Sequence, residues 1–140
     1  MEGETYQLFT DGACRGNPGV GGAGAVITTS KGDVIWEGKR YLDRCTNNIA
    51  EYQALILGLE GARQIGVRHL EICLDSELLA RQINGVYRVK NENLIPLMKA
   101  VRGVLSLFES VSVRHVPRAQ NRLADKLANQ AIDEKDETTC

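Results

Sequence analysis

Four acidic residues, Asp11, Glu51, Asp75 and Asp125, stand apart from the other carboxylates because of where the local pattern places them. Asp11 ends the alternating run TYQLFTD, and Asp75 ends HLEICLD; both runs read as strands. In α/β sheets the functional crevice lies beyond the carboxyl ends of parallel strands, so acids ending two neighbouring strands would stand side by side. Glu51 has Ala54, Leu55 and Gly58 as its helical neighbours, which puts it on or beside a face that packs on a sheet. Asp125 falls in the first turn of a closing helix, near Ala124 and Ala128. Carboxylates gathered in one crevice repel, and some would take up protons unless cations neutralised them. A donor set made of oxygens alone, without Cys or His, suits Mg²⁺ or Mn²⁺. Two such ions about 3.5 to 4 Å apart can activate a water and stabilise the leaving oxygen in phosphoryl transfer. Each acid also has a local reading. Asp75 could cap a helix starting near Ser76, Asp11 could open a turn into Gly12, Glu51 could complete a capping box with Asn48, and Asp125 could answer the helix dipole.

The elements that would carry these acids follow from periodicity. In residues 5–11, Tyr6, Leu8 and Thr10 share one face and Gln7, Phe9 and Asp11 the other. The stretch GACRGNPGVGG is expected to turn the chain, and residues 20–42 read as a hairpin joined at Lys31-Gly32-Asp33. A helix is expected over residues 48–65, capped by Asn48, with an apolar surface wide enough to lie against a sheet. A strand over 69–75, a short helix from SELLARQIN, and a helix from NENLIPLMKAVRGVLSLF with Pro96 in its first turns come next. A strand over 110–116 and the helix NRLADKLANQAID close the chain. This order indicates an α/β domain on a mixed sheet, with the opening hairpin antiparallel and the later strands parallel.

Composition bounds the partners. The 140 residues carry a net charge of −1, but DEKDETTC at 133–140 is acidic enough to leave residues 1–132 at +2. A domain over 1–132 followed by an acidic tail over 133–140 is the expected organisation. The body, with Arg or Lys at 81, 88, 90, 114, 118, 122 and 126, is compatible with nucleic acid, although a solvated face would look the same. No apolar run approaches the roughly 20 residues that span a bilayer, and the first residues have no signal-like core, so a cytoplasmic, membrane-free protein is expected. Cys14, Cys45, Cys73 and Cys140 form no CxxC pair, which argues against zinc. Free thiols are the simplest reading, with a disulfide from Cys140 to a surface cysteine as the alternative.

Four separated segments, FTDGACRGNPG (9–19), TNNIAEYQAL (46–55), LDS (74–76) and HVPRAQNRLADKLAN (115–129), resemble type 1 ribonuclease H in order and spacing along nearly the whole chain. The resemblance implies a ribonuclease H-like fold, a five-stranded mixed sheet flanked by helices. It also implies an endonuclease that hydrolyses the RNA strand of RNA/DNA hybrids with two Mg²⁺ ions, Mn²⁺ being a possible substitute, and leaves 5′-phosphate and 3′-hydroxyl ends. The four acids of the family fall on Asp11, Glu51, Asp75 and Asp125 as metal ligands, and its mobile histidine falls on His115, otherwise an ordinary loop histidine. Asn17, Asn47 and Asn48 match residues that touch the minor groove of the hybrid, where 2′-hydroxyls are displayed. Arg44, Thr46 and Asn91 match a pocket for a phosphate of the DNA strand. Locally, Asn48 and Asn91 could instead be helix caps, and Asn17-Pro18-Gly19 a plain turn.

Departures from the family pattern are specific. Glu77 stands where some members have Gln or Asn, a charge that would repel phosphate if it pointed inward. The long basic protrusion of some bacterial members is missing between Leu79 and Leu94, and no room is seen for an N-terminal hybrid-binding domain. Arg81, Arg88 and Lys90 replace part of that grip, which implies weaker and strongly salt-sensitive binding by an expected monomer. Two other functions fit the same residues: a noncatalytic hybrid-binding module, and a related nuclease that also cleaves double-stranded RNA.

Overall fold

The computed structural model describes residues 3–85 and 88–138. Their order is β1 (Thr5–Gly16), β2 (Gly19–Thr28), β3 (Val34–Cys45), α1 (Asn47–Gln64), β4 (His69–Leu74), α2 (Glu77–Ile83), α3 (Ile95–Leu105), β5 (Ser110–His115), a 3₁₀ turn (Arg118–Gln120) and α4 (Arg122–Thr138). The five strands form one sheet in the order β3-β2-β1-β4-β5. The β1–β2 and β2–β3 pairs are antiparallel, and β1–β4 and β4–β5 are parallel. This is the mixed sheet that the alternation of strand and helix patterns implies.

The alternation along β1 settles which layer each residue faces. Leu8 packs against Gly58 of α1, as does Thr10, whereas Asp11 pairs across the sheet with Gly24, which lies under Ala124 of α4. The α1 face carries the main core, including Leu8, Ile27, Tyr52, Leu55, Leu59, Leu70, Ile72 and Val101. The α4 face carries a small cluster of Val26, Ala124 and Leu127, with Phe9 packed against it. Among the described residues, no helix is long and apolar enough to cross a membrane.

Three local expectations are corrected. The glycine-rich stretch after Asp11 does not turn the chain: β1 runs on to Gly16, and the reversal falls at Asn17-Pro18, between paired Gly16 and Gly19. Ten register pairs with a β2 strand full of small residues outweigh the weak strand propensity of glycine here. Asp11 therefore lies inside β1, near the point where parallel pairing with β4 ends at Phe9↔Cys73. Helix α1 is capped by Thr46, not Asn48: Thr46 has extended backbone and its Oγ1 accepts from the Ile49 N–H at 3.2 Å, so no capping box ties up Glu51. Pro96 sits in the first turn of α3, which begins four residues after Asn91, so Asn91 is not its cap. Residues 133–138 of the acidic stretch lie in α4, where Asp133 pairs with Arg15 at 2.7 Å and Glu134 with Lys39 at 2.6 Å. Cys14, Cys45 and Cys73 are free thiols, while Cys140 and its expected disulfide lie outside the described residues.

Glycine at position 12 is required by approach rather than by turning. A Cβ there would collide with the main chain of Ala50 and Glu51, so the absent side chain is what lets α1 lie directly on β1 beside Asp11. Gly12→Ala is expected to cost at least about 1 to 3 kcal/mol, since backbone, not a flexible side chain, must move. Thermal or urea unfolding checks this, and a variant as stable as the parent would show that the contact relaxes freely.

Candidate active site

The register brings the first two acids together. Parallel pairing reaches Phe9↔Cys73, so continuing two residues along both chains sets Asp11 opposite Asp75. Glu51 reaches them from the second turn of α1, and Asp125 from the first turn of α4 on the opposite face of the sheet. Asp11 and Glu51 line two adjoining depressions. One also holds Asp75, Ser76 and Leu79; the other, a cleft of 380 Å³, also holds Cys14, Asn47, Arg118 and Asp125.

The electrostatics record how closely negative charge is gathered. Burial pushes the Asp11 carboxyl up to about 8, helped by the charge of Asp75, a hydrogen bond with Asp125, and the charges of Asp125 and Glu51. Burial likewise raises Glu51, to about 6; the charge of Asp75 adds to this, while a hydrogen bond from Ser76 and the Arg118 guanidinium oppose it. Among the described residues, no three carboxylate, imidazole or thiol groups close into a finished ligand cage. The oxygen-only donors and their unrelieved repulsion fit a hard divalent ion that keeps several waters and takes part of its coordination from substrate. A separate cavity of 580 Å³, lined by residues such as Arg88, Met98 and Lys99, has no carboxylate among its described lining residues. Its Arg102 bonds to the Gln82 and Ile83 carbonyls.

The other expected residues are distributed around this cleft unevenly. His115 ends β5, exposed, with Nε2 3.3 Å from the Asp75 main-chain carbonyl; that oxygen can only accept, so this nitrogen carries the proton. Asn17 and Asn47 meet directly, the Asn47 N–H donating to Asn17 Oδ1 at 3.1 Å, and Asn48 is exposed one position further along α1. Arg44 is exposed, Thr46 is engaged in its cap, and Asn91 Oδ1 accepts from the Asn93 N–H at 2.8 Å. No hydrogen bond among the described residues joins these last three. Glu77 points along its own helix to Arg81, with Nε–Oε1 2.9 Å, so its charge is partly answered.

Two residues escaped the sequence reading. Arg118 lines the cleft with the acids, yet in sequence it is one more cation in a loop. Asn121 sits just before α4 and is 1% exposed; its Nδ2 donates to the Thr10 carbonyl at 2.9 Å and to Asp75 Oδ2 at 3.1 Å. Its spacing of four from Asp125 was the sole sequence signal available.

A family model described as reverse transcriptase-like matches residues 9–131. The N-terminal RNase H domain of a protein from Mycobacterium tuberculosis has 37% identity and a TM-score of 0.91, covering 98% of this chain and 99% of that one. The chain spans 35% of the length of the corresponding bifunctional protein, at 41% identity over 90% of its own residues. A ribonuclease H of Dechloromonas aromatica is 35% identical, with 94% of this chain and 95% of the relative covered. LC11-RNase H1, solved in complex with RNA/DNA hybrid, is 38% identical with a TM-score of 0.88, covering 93% and 98% of the two chains. Together with the fold, the family match places the chain in the reverse transcriptase-like class. Within that class, the chain belongs to the ribonuclease H family.

Metal-free protein should lose stability as pH rises. A carboxyl raised on folding holds its proton where the unfolded chain has released it, so the stabilisation is full below about pH 4 and is lost up to the folded value near 8 for Asp11. In EDTA the unfolding midpoint of the parent should therefore fall between pH 5 and pH 8, and Asp11→Asn should flatten that slope. Added Mg²⁺ should restore the parent at pH 8; a midpoint indifferent to pH and to Mg²⁺ would contradict the clustered-charge account.

Proposed function

We propose that this chain is an endonuclease that hydrolyses the RNA strand of RNA/DNA hybrids, with two divalent metal ions, Mg²⁺ or Mn²⁺, held by Asp11, Glu51, Asp75 and Asp125. The observation that carries this reading is the meeting of Asp11 and Glu51 with Asp75, just past β4, in one depression and with Asp125 in the adjoining cleft, where Asp11 cannot easily ionise without a cation. Relatives named ribonuclease H, and one of them complexed with RNA/DNA hybrid, support the substrate.

When bound, the ions would supply an activated water and charge stabilisation at the scissile phosphate. The residues of this chain do the rest. Asp11, buried and close to the other three acids, would hold the metal together with them. The cleft beside it is open enough for a backbone phosphate, and the Arg118 guanidinium lining it offsets the charge that a phosphate would bring toward Glu51. His115, on an exposed strand end next to Asp75, can carry a proton to the leaving 3′-oxygen, which leaves 5′-phosphate and 3′-hydroxyl products.

Substrate grip falls to the rim. Asn17, Asn47 and Asn48 form an exposed amide edge at the turn between β1 and β2 and the start of α1, suited to 2′-hydroxyls and base edges in a wide minor groove. Arg44, Thr46 and Asn91 are assigned the DNA-strand phosphate; they would converge on it only with substrate present. Because Arg81 answers Glu77, the phosphate repulsion expected from that carboxylate is reduced.

Strand-labelled cleavage of a uniform hybrid tests the reading. The parent should degrade only the RNA strand, in Mg²⁺ or Mn²⁺ and not in EDTA, and Asp11→Asn should lose at least about a thousandfold in rate, several kcal/mol of barrier. Binding without cleavage would make the chain a hybrid-binding module instead, and equal cleavage of double-stranded RNA would broaden the substrate. Phosphate contacts should also make hybrid affinity fall steeply between low and physiological salt in a filter-binding assay; a flat response would remove the electrostatic grip.

A further inference from the structure

An asparagine immediately before a helix ordinarily spends its side chain on that helix, accepting from the N–H groups of the first turn. Asn121 does not. Its backbone carbonyl accepts from the Asp125 N–H at 3.1 Å, starting α4 in the usual way, but its side chain turns inward and is 1% exposed. There its two amide hydrogens go to two different strands: one to the Thr10 carbonyl of β1, next to Asp11, at 2.9 Å, and the other to Asp75 Oδ2, just past β4, at 3.1 Å. Asn121 Oδ1 is enclosed and has no hydrogen-bond partner among the described residues. The reverse orientation of the amide is excluded chemically, because Oδ1 would then face two acceptors. A buried amide that leaves its own oxygen unpaired in order to donate twice needs a reason beyond packing.

Resting on the metal-binding reading above, we propose that Asn121 is the positioning residue of the site: a single amide that ties together the three elements carrying Asp11, Asp75 and Asp125 and fixes Asp75 for metal. The geometry makes this specific. One donor pins the β1 main chain adjoining Asp11, the other holds one Asp75 oxygen in place so that its partner oxygen is the one left for coordination, and the attached backbone sets the start of the turn that presents Asp125. Ligating carboxylates held by such outer hydrogen bonds bind metal more tightly than free ones, and loss of the partner typically lowers metal affinity or turnover about 10- to 100-fold. At 1% exposure Asn121 is closed off from a bound duplex, so its effect should appear in turnover and metal affinity rather than in hybrid affinity.

The test uses the full chain and Asn121→Ala, with Asn121→Ser keeping one donor. Asn121→Ala should lower kcat about 10- to 100-fold with KM for hybrid changed less than about twofold, and weaken Mn²⁺ binding in calorimetry without substrate by about tenfold; Asn121→Ser should fall between. A folded Asn121→Ala with parental kcat and Mn²⁺ affinity would overturn the proposal, as would a loss confined to KM. Wild-type protein supplies a measurement that does not depend on the variant folding. With ¹⁵N-labelled asparagine, the Asn121 side-chain amide should exchange slowly with solvent and shift on Mg²⁺ titration while that of exposed Asn93 does not, and an unresponsive Asn121 amide would equally overturn it. A wild type that binds no Mn²⁺ would overturn the metal-site reading itself and this inference with it, whereas wild-type binding with indifference at Asn121 would overturn the inference alone.

Discussion

Negative charge concentrated at one point is the constraint from which the rest of this molecule follows. Carboxylates from four separate elements can be held within reach of one another only if the scaffold behind them is stiff enough to oppose their repulsion. Here that stiffness comes from a sheet with a core on each face. Leu8 and Thr10 lock β1 to α1, Gly24 admits α4 from the other side, and Asp11 is left between them, pushed up to about 8. A cation bound there would offset the repulsion that raises Asp11, so metal affinity and stability would be linked.

Glycine supplies the close approaches that this requires. At position 12 the missing side chain lets the α1 backbone rest on β1, and at positions 22 and 24 it does the same for α4 on β2, where a Cβ would strike the main chain of Ala128 and Ala124. The run of small residues that reads as a loop in sequence is thus the thinnest part of the sheet, and both acid-bearing helices are drawn in against it. Asn17, Asn47 and Asn48, the residues proposed to meet the hybrid, are by contrast exposed on the rim, away from the packed acids.

What was legible from sequence was what local periodicity encodes. The two faces of β1, the hairpin, the wide apolar face of α1 and Asp75 at the end of β4 all follow from spacing of two or of three and four, whereas Asp11 lies inside a strand that runs on past it. Local rules failed where a distant partner decided. Thr46 rather than Asn48 caps α1 because the chain is still extended as it leaves β3, and the glycines after Asp11 stay in strand because β2 pairs with them. Asn121 was invisible for the same reason: its partners Thr10 and Asp75 lie 111 and 46 residues away. Arg118 gained meaning only when the 3₁₀ turn put it on the wall of the cleft.

If the four carboxylates form one metal site that receives the scissile phosphate, a crystal structure of the chain with Mn²⁺ and a hybrid whose scissile linkage resists hydrolysis, read through the anomalous signal of the metal, will show it. Manganese should then contact Asp11, with Glu51, Asp75 and Asp125 around it and a phosphate oxygen of the RNA strand completing the coordination. Hybrid bound across this cleft with no manganese among the four acids, or manganese bound elsewhere, would contradict it.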